Sequence, residues 1–267
     1  MLKRIPDWLI YGFIVLAIYF NAYITARKEH APQPPPPPEL GPLLPLESPR
    51  DPSVLVDMGA PVSGIGTAFA IDNEGTWLTA RHVVDSCNRV AINIGQGRAL
   101  TVKSTISQNS DIALLKSDWT REPIASDLYS PRQIGERGFF FGFPQGHPGE
   151  VVGTLLGRHR MVIRGRYDTR ESILAWTEIG RTRGLEGSLG GLSGGPALDK
   201  DGEVVGIVAA ESPRRGRIYT VAPRNLQSAI PQDVTATAEA INIDSYGRQA
   251  DRYRRARRIA QVICLVK

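Results

Sequence analysis

Gly190-Gly-Leu-Ser193-Gly-Gly-Pro196-Ala-Leu198 sets one serine among four glycines. A serine hydroxyl is a weak nucleophile alone. It needs a base within hydrogen-bond reach and N–H donors facing the oxygen that becomes negative in the transition state. Glycines allow the tight turns that bring backbone amides inward. The amides of Gly191 and Ser193 are the natural donors.

The same stretch fits Gly-x-Ser-x-Gly over residues 191–195, the nucleophile turn of α/β-hydrolases. In that fold the order along the chain is Ser, then acid, then His. The histidines here are His30, His82, His147 and His159, and none follows Ser193. The chain also lacks the strand–helix alternation of a parallel sheet. The α/β-hydrolase reading therefore fails on order and on architecture.

Two upstream segments complete another constellation. One is Leu78-Thr-Ala-Arg-His82-Val-Val-Asp85, and the other is Asn109-Ser-Asp111-Ile-Ala-Leu-Leu-Lys116. His first, acid second and Ser third is the chymotrypsin order. The three segments resemble the Thr-Ala-x-His, Asp-Ile-Ala-Leu-Leu and Gly-x-Ser-Gly-Gly-Pro signatures of trypsin-like serine proteases, most nearly the bacterial HtrA/Deg-like group. Gly64-Ile-Gly-Thr-Ala-Phe-Ala-Ile71, Gly142-Phe-Pro144 and Asp201-Gly-Glu-Val-Val-Gly-Ile207 extend the likeness over residues 60–225.

The resemblance implies two antiparallel six-stranded β-barrels with the site between them. It implies His82 as general base, Asp111 as its orienting acid and Ser193 as nucleophile, with the Gly191 and Ser193 amides as the oxyanion hole. The reaction would be acyl transfer through an acyl-enzyme, without metal or organic cofactor. The base of the primary pocket would fall at Gly187-Ser-Leu189, with Val208, Ala209, Ala210 and Glu211 as a wall. No acid aligns at the base, although Glu186 is one residue away, so cleavage after small or medium apolar residues is expected. Leu192 stands where trypsin has an activating aspartate, so no trypsin-style zymogen switch is expected. Arg81 beside His82 is a departure of unassigned effect, and His147 and His159 read as loop residues. A catalytically latent or inactive peptide-binding scaffold on the same fold is the alternative.

Working outward, short apolar segments divided by Gly, Asn, Asp and Pro read as strands. Thr67–Asp72 and Thr76–Thr79 form a hairpin signal around Asn73-Glu-Gly75. Residues 89–94, 112–116, 138–142, 151–156, 161–164, 173–176, 197–198, 204–208 and 218–221 follow. With no amphipathic helical stripe between residues 51 and 225, the pattern is all-β. In the tail, 236–241 has helical character, 247–258 carries six arginines on helix formers, and 259–266 reads as a strand.

At the other end, Trp8 to Ile24 is free of charged residues and close in length to the ~20 residues that cross a bilayer. The run is apolar on all faces and no clean small-x-small site follows it, which favours an uncleaved anchor over a core helix or a signal peptide. The positive-inside rule weakly places the N-terminus in the cytoplasm. Pro34–Pro38 holds an extended spacer. The expected organisation is 1–28 anchor, 29–50 linker, 51–231 protease domain with its lobe boundary near 125–135, and 232–267 basic tail. Residues 232–267 are too few for a PDZ domain. The setting implied is a bacterial inner membrane with the domain in the periplasm and protein or peptide substrates.

The formal charge of +5, largely in the tail, does not by itself predict nucleic-acid binding. Cys87 and Cys264 are too few for a four-ligand zinc site, and they can pair outside the cytoplasm. The sequence leaves that bond and the oligomeric state open.

Overall fold

Thr67–Asp72 and Thr76–Thr79 do pair, and this hairpin begins a closed barrel. The computed structural model describes residues 7–26, 40–232 and 234–267, without the side chains at 7, 9, 10 and 20–26. The proline run and the charges at residues 3, 4, 27 and 28 lie outside the described residues. In chain order the first part holds α1 (Asp7–Ala26), β1 (Ser53–Met58), β2 (Gly64–Ala70), β3 (Thr76–Thr79), α2 (Arg81–Val84), β4 (Arg89–Gly95), β5 (Arg98–Ile106) and β6 (Ala113–Lys116). The second part holds β7 (Arg137–Gly142), β8 (Gly149–Gly165), β9 (Thr169–Arg181), β10 (Pro196–Leu198), β11 (Val204–Ser212), β12 (Arg217–Val221), α3 (Pro223–Leu226), α4 (Tyr246–Arg255) and β13 (Ile259–Leu265).

The first barrel closes in the order β13-β2-β3-β6-β5-β4. Its strands bury Phe69, Trp77, Leu78, Ile92 and Leu115. Burial of side chains this size contributes roughly 1.5–3 kcal/mol each. In the second lobe the order is β8-β7-β10-β11-β12-β9, and β8 pairs again with β9, so six strands form a ring. Trp176 is buried inside and donates its indole N–H to Thr220 Oγ1 at 3.0 Å. The chain is an all-β protein of the chymotrypsin-like kind.

Several expectations need correction. Residues 151–156 and 161–164 are one strand, β8, which puts His159 on a strand against the Tyr219 ring and not in a loop. β1 runs parallel to β8 on the outside of the ring, with Ser53 opposite Arg160 and Met58 opposite Gly165, so the second sheet is not wholly antiparallel. Residues 236–241 form no helix. There Ile241 N–H donates to Lys200 O and Ala240 O accepts from Gln249 Nε2, each at 2.8 Å, so backbone groups a helix would need are bonded elsewhere.

The basic tail is not an appendage either. β13 pairs with both β2 and β4 and completes the first barrel. Arg254 is buried against Glu150 Oε2 at 2.7 Å and Gly149 O at 2.9 Å, and Arg258 Nε donates to Glu122 O at 3.3 Å. These arginines hold the tail on the body because each guanidinium fork finds fixed acceptors. Cys264, on β13, is disulfide-bonded to Cys87.

α1 carries exposed Trp8, Phe13, Ile14, Val15, Leu16 and Tyr19. Among the described residues no helix is long and apolar enough to cross a membrane.

Candidate active site

β3 ends directly in the single turn α2. The first N–H groups of a helix have no partner inside it. The Asp111 carboxylate takes one of them, since its Oδ1 accepts from His82 N at 2.9 Å. Its Oδ2 lies 2.7 Å from His82 Nδ1. Asp111 has no exposed surface. One buried carboxylate thus fixes both the backbone and the ring of His82. Burial alone would lower the imidazole pKa, but the charge and hydrogen bond of Asp111 outweigh it and hold the pKa above its ordinary value.

Two residues not singled out in the sequence complete the surroundings of Asp111. Tyr167 donates its hydroxyl to Oδ1 at 3.1 Å, and Glu171 Oε1 accepts from Asp111 N at 2.7 Å. Glu171 also accepts from the Ser110 hydroxyl and from Asn225 Nδ2. Its pKa is pushed up to about 7, chiefly by burial. Strand alternation was the available signal for Glu171, which shares a buried face with Thr169, Ile173 and Ala175. Arg81 is buried, donates to Ser107 O at 2.9 Å and stacks 3.7 Å over the Tyr167 ring.

Ser193 arrives on the loop before β10. Its carbonyl accepts from Thr67 N at 2.9 Å, and Gly194 N donates to Val208 O at 2.8 Å. At Gly194, with φ of +82°, an added Cβ would lie 2.2 Å from Thr79 Oγ1, so glycine is required. A Cβ on Gly66 would lie 2.4 Å from Val83 Cγ1 and 3.2 Å from Ser193 O. The His82 turn and the Ser193 loop therefore meet across Gly66.

The peptide planes before Ser193 are pinned. Gly190 O accepts from Gln145 N, and Gly191 O accepts from Thr67 Oγ1 at 2.8 Å. Because a trans peptide is planar, fixing the Gly190 carbonyl turns the Gly191 N–H the opposite way. Among the described residues neither Gly191 N nor Ser193 N donates to any protein acceptor. No hydrogen bond joins the Ser193 hydroxyl to His82 among them. Such contacts often tighten only when substrate binds.

Of the expected pocket residues, Leu189, Val208 and Ala209 are buried and Ala210 is half-buried. The Glu211 carboxylate crosses from the end of β11 to accept from Leu189 N at 2.9 Å and from the Ser188 hydroxyl. Glu186 takes part through its carbonyl, which accepts from Gln145 Nε2 at 2.6 Å. His147 is exposed. Asp127, Asp199 and Glu203 bring oxygens within 4.8 Å of one another. Arg132 already pairs there with Asp127 and Asp199, which supplies a counter-charge.

The family model of the trypsin-like peptidase domain matches residues 66–207, and the chain belongs to that family. A putative serine protease, HhoA, of Synechocystis sp. is 31% identical over 155 residues, which cover 56% of this chain and 37% of the relative. A probable periplasmic serine endoprotease, DegP-like, of Hahella chejuensis is 28% identical over 173 residues, covering 63% and 33%. The chain thus spans about a third of the length of these curated relatives. Among solved structures, the active form of the Rv3671c protease from M. tuberculosis superposes with a TM-score of 0.52 at 18% identity, covering 68% of this chain and 78% of that one. That likeness shows the fold.

Proposed function

We propose that this chain is a serine endopeptidase in which His82, Asp111 and Ser193 act together. The observation that carries the reading is the buried Asp111 carboxylate bound to both His82 N and His82 Nδ1, with two undonated amides beside Ser193. His82 Nε2 takes the Ser193 proton as Oγ attacks the scissile carbonyl. Asp111 keeps the Nδ1–H tautomer and stabilises the imidazolium. The Gly191 and Ser193 amides receive the oxyanion. His82 then protonates the leaving amine, and water hydrolyses the acyl-enzyme by the reverse steps.

The proposed specificity is for small or medium apolar side chains before the cut. Support comes from Leu189, Val208 and Ala209 being apolar and buried, and from the Glu211 carboxylate being occupied by Leu189 N and Ser188. Residues 1–28 are proposed as a membrane anchor, supported by the absence of charge from Trp8 to Ile24 and by the apolar side chains exposed between Trp8 and Tyr19. The periplasmic side is proposed by analogy with the DegP-like relative, a probable periplasmic endoprotease. The proposed protease domain runs on past residue 231 to include β13, which closes the first barrel.

The absent Ser193–His82 hydrogen bond favours one other reading, a latent or inactive protease-fold protein that binds peptides. Digestion of an unfolded protein and of a peptide library by the full chain separates the two. The proposal expects cuts after small or medium apolar residues that vanish in Ser193→Ala. Cuts after Arg or Lys alone would refute the specificity, and no cutting by folded wild type would favour the second reading.

A further inference from the structure

Asp111 belongs to the first barrel, yet part of its support comes from the second. The β8–β9 hairpin continues past the ring to a tip at residues 165–168, with Ile163 opposite Thr169 as its last pair. That tip reaches the His82 turn. Arg166 Nε lies 2.8 Å from Asp85 Oδ2, and Arg166 Nη2 donates to His82 O at 3.4 Å. Tyr167, next in the chain, is buried and places its hydroxyl 3.1 Å from Asp111 Oδ1. Arg81 packs on the ring of Tyr167 from the side of α2.

The tip is itself held. β1 lies along the outer edge of β8 as far as Gly165, and Arg166 N donates to Met58 O at 3.3 Å. Glu171, on the same hairpin, bonds the Asp111 backbone N–H. The Tyr167 hydroxyl is therefore fixed from both sides and has little freedom to leave Asp111.

A carboxylate rotates broadly about its last torsion. Donors at Oδ1 help to hold Oδ2 toward Nδ1. Two donors occupy Oδ1, His82 N and the Tyr167 hydroxyl. We propose that Tyr167 is a positioning residue for the Asp111–His82 pair: its hydroxyl fixes the rotation of the carboxylate and draws off part of its charge. This rests on reading Asp111 and His82 as the working pair. The ionisable groups around the pair are Arg81 and Asp85 from the α2 side, and Arg166, Tyr167 and Glu171 from the hairpin.

The alternative is that Tyr167 merely packs the tip against the first barrel. The two differ at His82. Three donors now share the Asp111 charge. Removing one concentrates that charge on the remaining two, so the imidazolium is held more firmly. A loosened tip would admit water and let the His82 pKa fall toward its ordinary value.

The test is an NMR titration of histidine-labelled full chain in detergent, wild type against Tyr167→Phe, which keeps the ring and the Arg81 stack. The expected result is an upward shift of the His82 pKa by about half a unit. Site-specific 3-fluorotyrosine at position 167 is a stronger donor of nearly the same shape. It should shift the pKa downward and guards against a folding defect in the first variant. An unchanged or lowered pKa in folded Tyr167→Phe, or no downward shift with the fluorinated residue, overturns the proposal. Reactivity of the same samples with a fluorophosphonate is read separately. An unreactive wild type counts against the peptidase reading, while the titration still decides the role of Tyr167.

Discussion

The hydroxyl of Thr67, on the first barrel, donates a 2.8 Å hydrogen bond to the carbonyl of Gly191, on the second. The same oxygen accepts from Phe143 N at 3.1 Å, and Thr67 is wholly buried. One side chain thereby ties the proposed oxyanion loop to the strand beside the His82 turn. Thr67→Val keeps the shape and removes the donor, leaving the Gly191 carbonyl without its partner. Fluorophosphonate labelling should slow by about 10- to 100-fold, less than the loss of an oxyanion donor itself would cost. Stability should fall by about 1–3 kcal/mol, read from denaturant unfolding. Unaltered labelling would mean that the other bonds of the loop hold it without the Thr67 hydroxyl.

The Cys87–Cys264 bond joins residues 177 apart in sequence, with Cα atoms 5.5 Å apart. It ties the turn after α2 to β13, the strand that completes the first barrel. Reduction, or Cys87→Ser with Cys264→Ser, should cost about 2–5 kcal/mol in chemical unfolding while the β-sheet signal in circular dichroism persists. Equal unfolding midpoints with and without reductant would contradict this.

Stability should decline with rising pH through the neutral range. Glu171 has a folded pKa of about 7 against 4.5 for the free group. Between those values the folded chain retains a proton that the unfolded chain has lost, so stability falls as pH climbs. His82 has a raised pKa, so its contribution is complete below 6.5 and is lost as pH rises through the folded value. The two act in the same direction. The thermal midpoint should fall between about pH 5 and about pH 8, with a flatter profile in Glu171→Gln. A midpoint that rises over this range would contradict the account.

How much of this was legible in sequence depended on whether the deciding contact was local. The β2–β3 hairpin was readable because Asn73-Glu-Gly75 separates two apolar runs, and Gly75 takes a φ of +81° there. β5 carries little strand signal because it faces mostly solvent, with Val102 its one buried position. β1 does alternate, but its partner β8 lies about a hundred residues away, as Ser53 opposite Arg160 shows. The arginine run looked like a solvated tail because Glu150, Gly149 and Glu122, which bind it, are distant in sequence.

The candidate site divides in the same way. The motifs around His82, Asp111 and Ser193 announced themselves through short-range residue patterns, and the structure brings the first two into direct hydrogen bonding. Tyr167 and Glu171 carry no such pattern. They reach Asp111 across 56 and 60 residues of chain. Glu211 was named as part of a wall, but its bonds to Leu189 and Ser188 came only with the fold.

Ser193 is proposed as a nucleophile activated by His82. Full chain in detergent is treated with a fluorophosphonate, and the labelled residue is mapped by mass spectrometry in wild type, Ser193→Ala and His82→Ala. A single adduct is expected on Ser193, none in Ser193→Ala, and labelling slowed by at least about a hundredfold in His82→Ala. A folded wild type that takes no label, or takes it elsewhere, would contradict the account.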